Sequence, residues 1–396
     1  MSTLDLSKFL TPIYGADSQP GGRGYNAEAD VVRATIDGID LNALWAEFQQ
    51  SLSILNEYKG HLMSLLTFPV SNPIESVTQV GEAEFELASE YGIPQTNRVE
   101  MNYFSLGYDF HDYDTRVAFT WKFLRDADAR QVEAIHQKNI DADRALMFRK
   151  VMEAIFDNRN RNADIRGQNY TVYALYNGDG TVPPSYKGEN FDGTHSHYLT
   201  SGNILVDSGD LEDLYEEIAE HGYGIENGTK FVFLCNKAEI REIRKFRQGQ
   251  VNNNGAVAQY DFIPAPNQPA LIVPNAEGLL GSQPASEWNG LPVTGSYGDI
   301  LIIEESFIPQ GYGLMFGTGG AGDLQNLVGL REHVRPEYQG LRLLPGNQQR
   351  YPLGDSYYSR SFGTGIRQRA GAAVMQFTAS TNYTIPEKYK KGSGLK

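Results

Sequence analysis

The stretch from Asp126 to Asp157, DADARQVEAIHQKNIDADRALMFRKVMEAIFD, contains no glycine and no proline. Nothing in it interrupts a helix, and Val132, Ile135, Ala142, Leu146, Met152 and Phe156 fall near one broad face at helical spacing. At 1.5 Å per residue this predicts a helix of roughly 45 Å, well above the usual three or four turns. Such a helix makes the backbone of a lobe.

The segments before it have other periods. Residues 1–39, with GADSQPGGRGYNAEAD, are rich in Gly, Pro and polar residues and show no sustained period, which predicts an extended arm. From Asp40, a good N-cap, apolar residues recur at Leu41, Leu44, Trp45, Phe48, Leu52, Leu55 and Leu62, predicting an amphipathic helix that ends near Gly60. In 66–124 the spacing changes to two. Phe85 and Leu87 alternate with acids, then Phe104, Leu106, Tyr108 and Phe110, then Val117, Phe119, Trp121 and Phe123, with a turn near Gly92 and Pro94. This predicts a long hairpin with too little apolar material for a core of its own. A lone hairpin is marginal in water and its edges invite pairing, so something outside the chain's own body is expected to cover it.

After the long helix, strand-like YTVYALYN and THSHYLT flank a loop rich in Gly, Pro and Asp. Helix and strand patterns then alternate: LEDLYEEIAEHG from Asp210, KFVFLCN, KAEIREIRKFRQ, ALIVP and DILIIEESFIP. The alternation predicts an α/β lobe inserted between parts of another. The tail, SRSFGTGIRQRAGAAVMQFTAS, reads as two strands around a turn that return to the first lobe.

Composition narrows the function classes. The 396 residues exceed what one compact core usually serves, so two or more lobes are expected. The net charge of -15 is spread along the chain, which argues against sequence-independent attraction to nucleic acid. The single cysteine, Cys235, excludes an internal disulfide framework and reads as a small buried hydrophobe. Neither a signal peptide nor an apolar run long enough for a membrane span is present, so a soluble protein made in the cytoplasm is expected. The 41 glycines, 23 tyrosines and 19 phenylalanines point to strands, turns and broad aromatic contact surfaces.

Few residues invite chemistry. Gly317, Gly319 and Gly322 in YGLMFGTGGAGDLQNLVGL satisfy G-x-G-x-x-G, with an apolar run before them and helix-compatible residues after. A dinucleotide fingerprint sits in the first strand-to-helix turn of a βαβ unit with an acid about twenty residues on. Here REHVRPEYQGLRLLPG offers no strand ending in an acid, so the glycines read as a backbone turn. His195 and His197, two apart, would share one strand face as paired zinc ligands can. His221 and Asp192 are the candidate third ligands, and neither is constrained. NGDGT at 177–181 begins like a calcium loop but has Val182 and Gly188 where that loop needs Gly and Glu. Lys237, Arg241, Arg244, Lys245 and Arg247 are interleaved with Glu239 and Glu242, as on a solvated or subunit-facing helix. No catalytic constellation, cofactor site or established metal site follows from the sequence.

The order of parts is distinctive: arm, amphipathic helix, coreless hairpin at about 68–112, long helix at 126–157, inserted lobe with GLPVTGSYGDILIIEESFIPQGYGLMFG from Gly290, and closing RQRAGAAVMQFTAS from Arg367. In this the chain resembles the major capsid proteins of tailed bacteriophages, the Hong Kong 97-like fold also found in encapsulin shells. The resemblance implies an α+β subunit: arm and amphipathic helix at 1–65, extended β-hairpin loop at 66–124, peripheral domain with spine helix at 125–205, axial α/β domain at 206–325, and a return to the peripheral domain at 326–396. It implies a non-catalytic protein that assembles with itself through pentamers and hexamers into an icosahedral head around double-stranded DNA. Arm and extended loop would lie over neighbouring subunits, with Phe85, Leu87, Tyr91, Tyr103 and Phe104 as expected contact residues. Gly317, Gly319, Gly320 and Gly322 would be a hinge between lobes.

Two departures from the family pattern carry expectations. Some members weld subunits through a lysine in the extended loop, and between Phe68 and Trp121 this chain has none, so stability is expected from non-covalent contacts or a cement protein. Some relatives carry a scaffold domain of about a hundred residues before the arm; with about 65 residues ahead of the hairpin, a separate scaffold protein is expected, besides a portal. The alternatives are an encapsulin-type compartment and a metal-dependent enzyme centred on His195 and His197.

Overall fold

The computed structural model describes residues 34–57, 60–80, 101–165, 167–224, 227–266, 283–346 and 353–390. These group into two compact units. One takes in residues 34–57, 111–146 and 335–361; the other takes in 60–110, 147–334 and 362–390, in each case less the undescribed stretches. The chain begins with helices α1 (Leu41–Glu57) and α2 (His61–Leu66), then strands β1 (Thr67–Val70), β2 (Ile74–Val80), β3 (Met101–Gly107) and β4 (His111–Thr120). Helices α3 (Trp121–Asp126) and α4 (Ala129–Phe156) follow, then β5 (Arg161–Ile165), β6 (Gln168–Val172), β7 (Tyr198–Thr200), α5 (Ser208–Ala219), β8 (Lys230–Cys235) and α6 (Lys237–Ile243). The remainder is strand: β9 (Phe262–Pro264), β10 (Glu287–Trp288), β11 (Leu291–Pro292), β12 (Gly295–Tyr297), β13 (Ile300–Glu304), β14 (Tyr312–Thr318), β15 (Val328–Arg331), β16 (Arg342–Pro345), β17 (Leu353–Ile366) and β18 (Ala372–Gln376).

Local chemistry sets the boundaries. Asp40 caps α1 by accepting from the Asn42 amide at 2.7 Å. The amphipathic run does not reach Leu62 as one helix, because Gly60 at φ 85° breaks it and Leu62 belongs to α2. The strand expected through Trp121 and Phe123 stops at Thr120. Its hydroxyl accepts from the Phe123 amide at 3.1 Å and starts α3 in place of further strand.

The long helix is α4, 28 residues, or about 42 Å. It is separated from α3 by Ala127 and Asp128, the latter accepting from the Gln131 amide at 2.9 Å. Its buried stripe includes Val132, His136, Ile140, Asp143, Met147 and Val151, whereas Ala142, assigned to the buried face by pattern, is exposed. The stripe accepts an acid because Arg360 of β17 donates to Asp143 at 2.7 Å, each side chain 5% exposed.

In the first unit, Leu44, Phe48 and Leu52 of α1 pack with Ala129, Val132 and Ile140 of α4 and with Leu341, Leu343 and Tyr358. His136 lies inside this cluster. It stacks on Phe48 at 4.0 Å and meets Ser51 Oγ at 2.9 Å and Tyr358 Oη at 2.6 Å. β16 pairs antiparallel with β17, Arg342 opposite Ser359, and β4 also pairs with β17.

The second unit is built on a seven-stranded sheet ordered β7-β18-β14-β8-β13-β12-β9. Phe231, Phe233 and Cys235 of β8 turn the same way, into a core with Leu211, Leu214 and Ile218 of α5 and Ile240 and Ile243 of α6. Burial pushes the Cys235 thiol well above its ordinary pKa. Asp207 is the N-cap of α5, and Asp210, expected to begin the helix, is the third residue of the capping box. The sheet draws on 198–200, 206–325 and 326–396 alike, since β18 lies between β14 and β7. Beside it, β15 pairs parallel with β1 and antiparallel with the end of β17.

Candidate functional site

Three histidines meet in the second unit. The His197 amide donates to Tyr176 O at 2.8 Å, and its carbonyl accepts from the Val374 amide at 2.9 Å, which seats it at the head of β7. His195, two residues earlier, projects to the same side. His221 comes from the turn that closes α5, where Gly222 at φ 87° turns the chain. Nε2 of His195 lies 3.1 Å from that of His197 and 2.9 Å from that of His221, and the last two are 3.1 Å apart. Glu217 Oε1 lies 3.2 Å from His195 Nε2 and 3.9 Å from His197 Nε2.

The surroundings fix the rings. His197 Nδ1 faces the Ala372 carbonyl at 2.8 Å; since a carbonyl only accepts, that nitrogen carries the proton and Nε2 directs a lone pair inward. Phe191 stacks on His221 at 4.1 Å, and Tyr176 packs within 6.2 Å of all three rings. Burial holds all three imidazoles below their ordinary pKa, His221 at about 3, and so favours neutral rings. Burial, with Glu220 and Asp213 nearby, raises Glu217 to about 7. A recess of about 450 Å³ opens beside Glu217, lined also by Asp213, Glu216 and Glu220.

The structure therefore selects between the two candidate third ligands. His221 joins the pair, whereas the Asp192 carboxylate is engaged by the amide and hydroxyl of Thr194 at 2.8 and 2.6 Å. Glu217 was missed from sequence. Its signal was the E-x-x-x-H spacing to His221, which puts both on one side of a helical turn.

The expected contact residues divide. Phe85, Leu87 and Tyr91 lie outside the described residues, and Tyr103 and Phe104 pair opposite Thr78 and Val77 in a two-stranded ribbon of β2 and β3. Glu75, at the base of that ribbon, accepts from Tyr108 Oη at 2.8 Å and pairs with Arg367 at 3.0 Å. No third strand joins the ribbon among the described residues.

The glycine stretch forms no phosphate cradle. Gly317 lies within β14 opposite Phe231, and Gly319, Gly320 and Gly322 form a turn that leads into β15 with no helix after it. Gly320 at φ 124° and Gly322 at φ 70° use backbone that side chains disfavour. Fully buried Asn326 holds the turn, donating to the carbonyls of Gly320 at 2.9 Å, Ser64 at 3.0 Å and Thr67 at 3.2 Å.

No protein-family model and no curated protein matches the sequence. A solved structure from Mycobacterium phage Patience is 56% identical, with the match covering 96% of this chain and 99% of that one at a TM-score of 0.75. A capsid of a native GTA particle is 13% identical over 81% of this chain and 91% of that one, TM-score 0.43. The SrpI encapsulin of Synechococcus elongatus is 13% identical over 97% and 99%, TM-score 0.44. At that level neither bears on what this chain does. The chain belongs to the tailed-phage major capsid proteins of the Hong Kong 97-like fold. It is a structural subunit of the virion capsid that assembles with copies of itself into an icosahedral shell, and it is not an enzyme.

Proposed function

We propose that the subunit assembles through pentamers and hexamers into the head enclosing the double-stranded DNA of a tailed phage, within the bacterial host cytoplasm. A separate scaffold protein shapes the shell, a portal fills one vertex, and non-covalent contacts or a cement protein replace covalent welding. The observation that carries this reading is the β2–β3 ribbon, whose strand edges have no further pairing among the described residues. Such edges need a cover, and a neighbouring subunit provides one. Within this reading residues 66–124 are the extended loop, 125–205 and 326–396 the peripheral domain, 206–325 the axial domain, and Phe85, Leu87, Tyr91, Tyr103 and Phe104 the contact residues. The charge of -15 suits a wall that does not grip the packed genome.

Replacing residues 81–100 by a short Gly-Ser turn tests the reading. Shells should be lost while circular dichroism and the melting temperature stay near wild type. Normal shells from the shortened chain would contradict the assignment.

A further inference from the structure

We propose that His195, His197, His221 and Glu217 form a structural zinc site that clips the C-terminal turn of α5 to the head of β7. The three Nε2 atoms mark a nearly equilateral triangle with edges of 2.9, 3.1 and 3.1 Å. Zinc sits about 2.0–2.1 Å from imidazole nitrogen. A point about 2.05 Å from all three corners lies about 1 Å out of their plane, so one ion satisfies all three with little movement of the rings. Two ligands of a tetrahedral zinc lie about 3.3 Å apart; Glu217 Oε1 is 3.2 and 3.9 Å from the His195 and His197 corners but stands outside the three-histidine cluster, so its side chain must turn toward His221 to take the fourth position.

Hydrogen bonds alone do not account for the triangle. With the proton of His197 on Nδ1 facing Ala372 O, its Nε2 is a bare acceptor. If His195 and His221 both carry Nε2 protons, their 2.9 Å edge sets hydrogen against hydrogen. If only one does, the other edge to His197 sets lone pair against lone pair. Every arrangement of neutral rings leaves one edge repulsive, whereas a cation meets three lone pairs at once.

The rest of the site agrees. Three imidazoles and a carboxylate suit zinc, and four protein ligands close a structural site. The Ala372 carbonyl orients the His197 ring as an outer partner, and Phe191 and Tyr176 wall the rings in. The recess that Glu217 lines also carries Asp213, Glu216 and Glu220, so the surface beside the site is acidic.

The test uses untagged full-length protein, stripped with a chelator, titrated with zinc chloride by calorimetry and assayed for metal after dialysis. Wild type should retain one zinc per chain and melt at a higher temperature with zinc than without. His221→Ala should lose the retained metal, Glu217→Gln should weaken binding at least tenfold, and His111→Ala, at an exposed position, should change neither. Cobalt in place of zinc should give the strong visible absorption of a tetrahedral site, which reads the geometry even where a variant folds poorly. No zinc retained by wild type, or equal retention by His221→Ala, would overturn the proposal.

Discussion

Arg369 and Asp179 pair at 2.8 Å, with the arginine side chain 1% exposed. The same guanidinium donates to the Ala174 carbonyl at 2.9 Å and the Leu175 carbonyl at 3.3 Å. Its centre lies 4.7 Å from the Tyr173 ring and 4.4 Å from the Tyr176 ring. One side chain thus ties the turn before β18 to the segment after β6. A flat, delocalised cation suits this place, because lysine can neither reach three acceptors in one plane nor stack.

Arg369→Ala should therefore destabilise the subunit by about 3 kcal/mol, since it takes the cation from a partly buried carboxylate that keeps only the Asn160 and Thr181 donors and strips a donor from two carbonyls. Arg369→Lys should recover only part of that loss. Denaturant unfolding reads both, and an alanine variant within about 1 kcal/mol of wild type would show that the pair holds little.

Elements with a clear period were legible in the sequence. The length of α4, the strand β8 and the strand β13 follow from composition and spacing, because each element's own residues determine it. What was not legible depends on partners far along the chain. Asp143 enters the buried stripe only because Arg360, more than two hundred residues away, is there to meet it. The alternation through Phe123 looked like strand because the Thr120 cap, a matter of one hydroxyl, is invisible to periodicity. The histidine pair was visible as a pair, but His221 and Glu217 join it only through the way α5 lies against β7 and β18.

His136 gives the first unit a pH response. Burial lowers its pKa below the ordinary 6.5, so between the lowered value and 6.5 the unfolded chain binds a proton that the folded chain does not. The stability this residue contributes is full above about 6.5 and is lost as pH falls through the folded value. The facing groups are Ser51 and Tyr358, the latter's phenol pushed up to about 12 by burial, so neither supplies a countercharge. NMR should show the His136 ring titrating below 6.5, and His136→Gln should flatten the fall in melting temperature on acidification. A ring that titrates above 6.5 would reverse the sign and contradict this account.

Gly319 tests the expectation that the glycines act as a hinge. The atoms nearest a Cβ at this position belong to the Asp323 carboxylate, the closest at 2.7 Å, and that group can give way at the cost of its exposed bond from the Gln325 amide at 2.8 Å. Gly319→Ala should therefore leave folding and capsomer formation near wild type while slowing shell expansion severalfold in time-resolved scattering. Equal loss of folding and expansion would make the glycines a plain structural turn.

Between Phe68 and Trp121 the chain has no lysine, and Lys122 follows β4 inside α3, so the hairpin itself carries no amine for the weld that some family members use. Mature particles boiled in detergent should run as a single band near 44.0 kDa. A ladder of covalent multimers would contradict the expectation of a non-covalent shell.

This chain works through contacts between its own copies. Electron microscopy of the purified, untagged protein, expressed with and without a co-expressed scaffold, tests it most directly. Closed icosahedral shells tens of nanometres across should form, with capsomers that place the β2–β3 ribbon on a neighbouring subunit. A stable monomer under both conditions would contradict it.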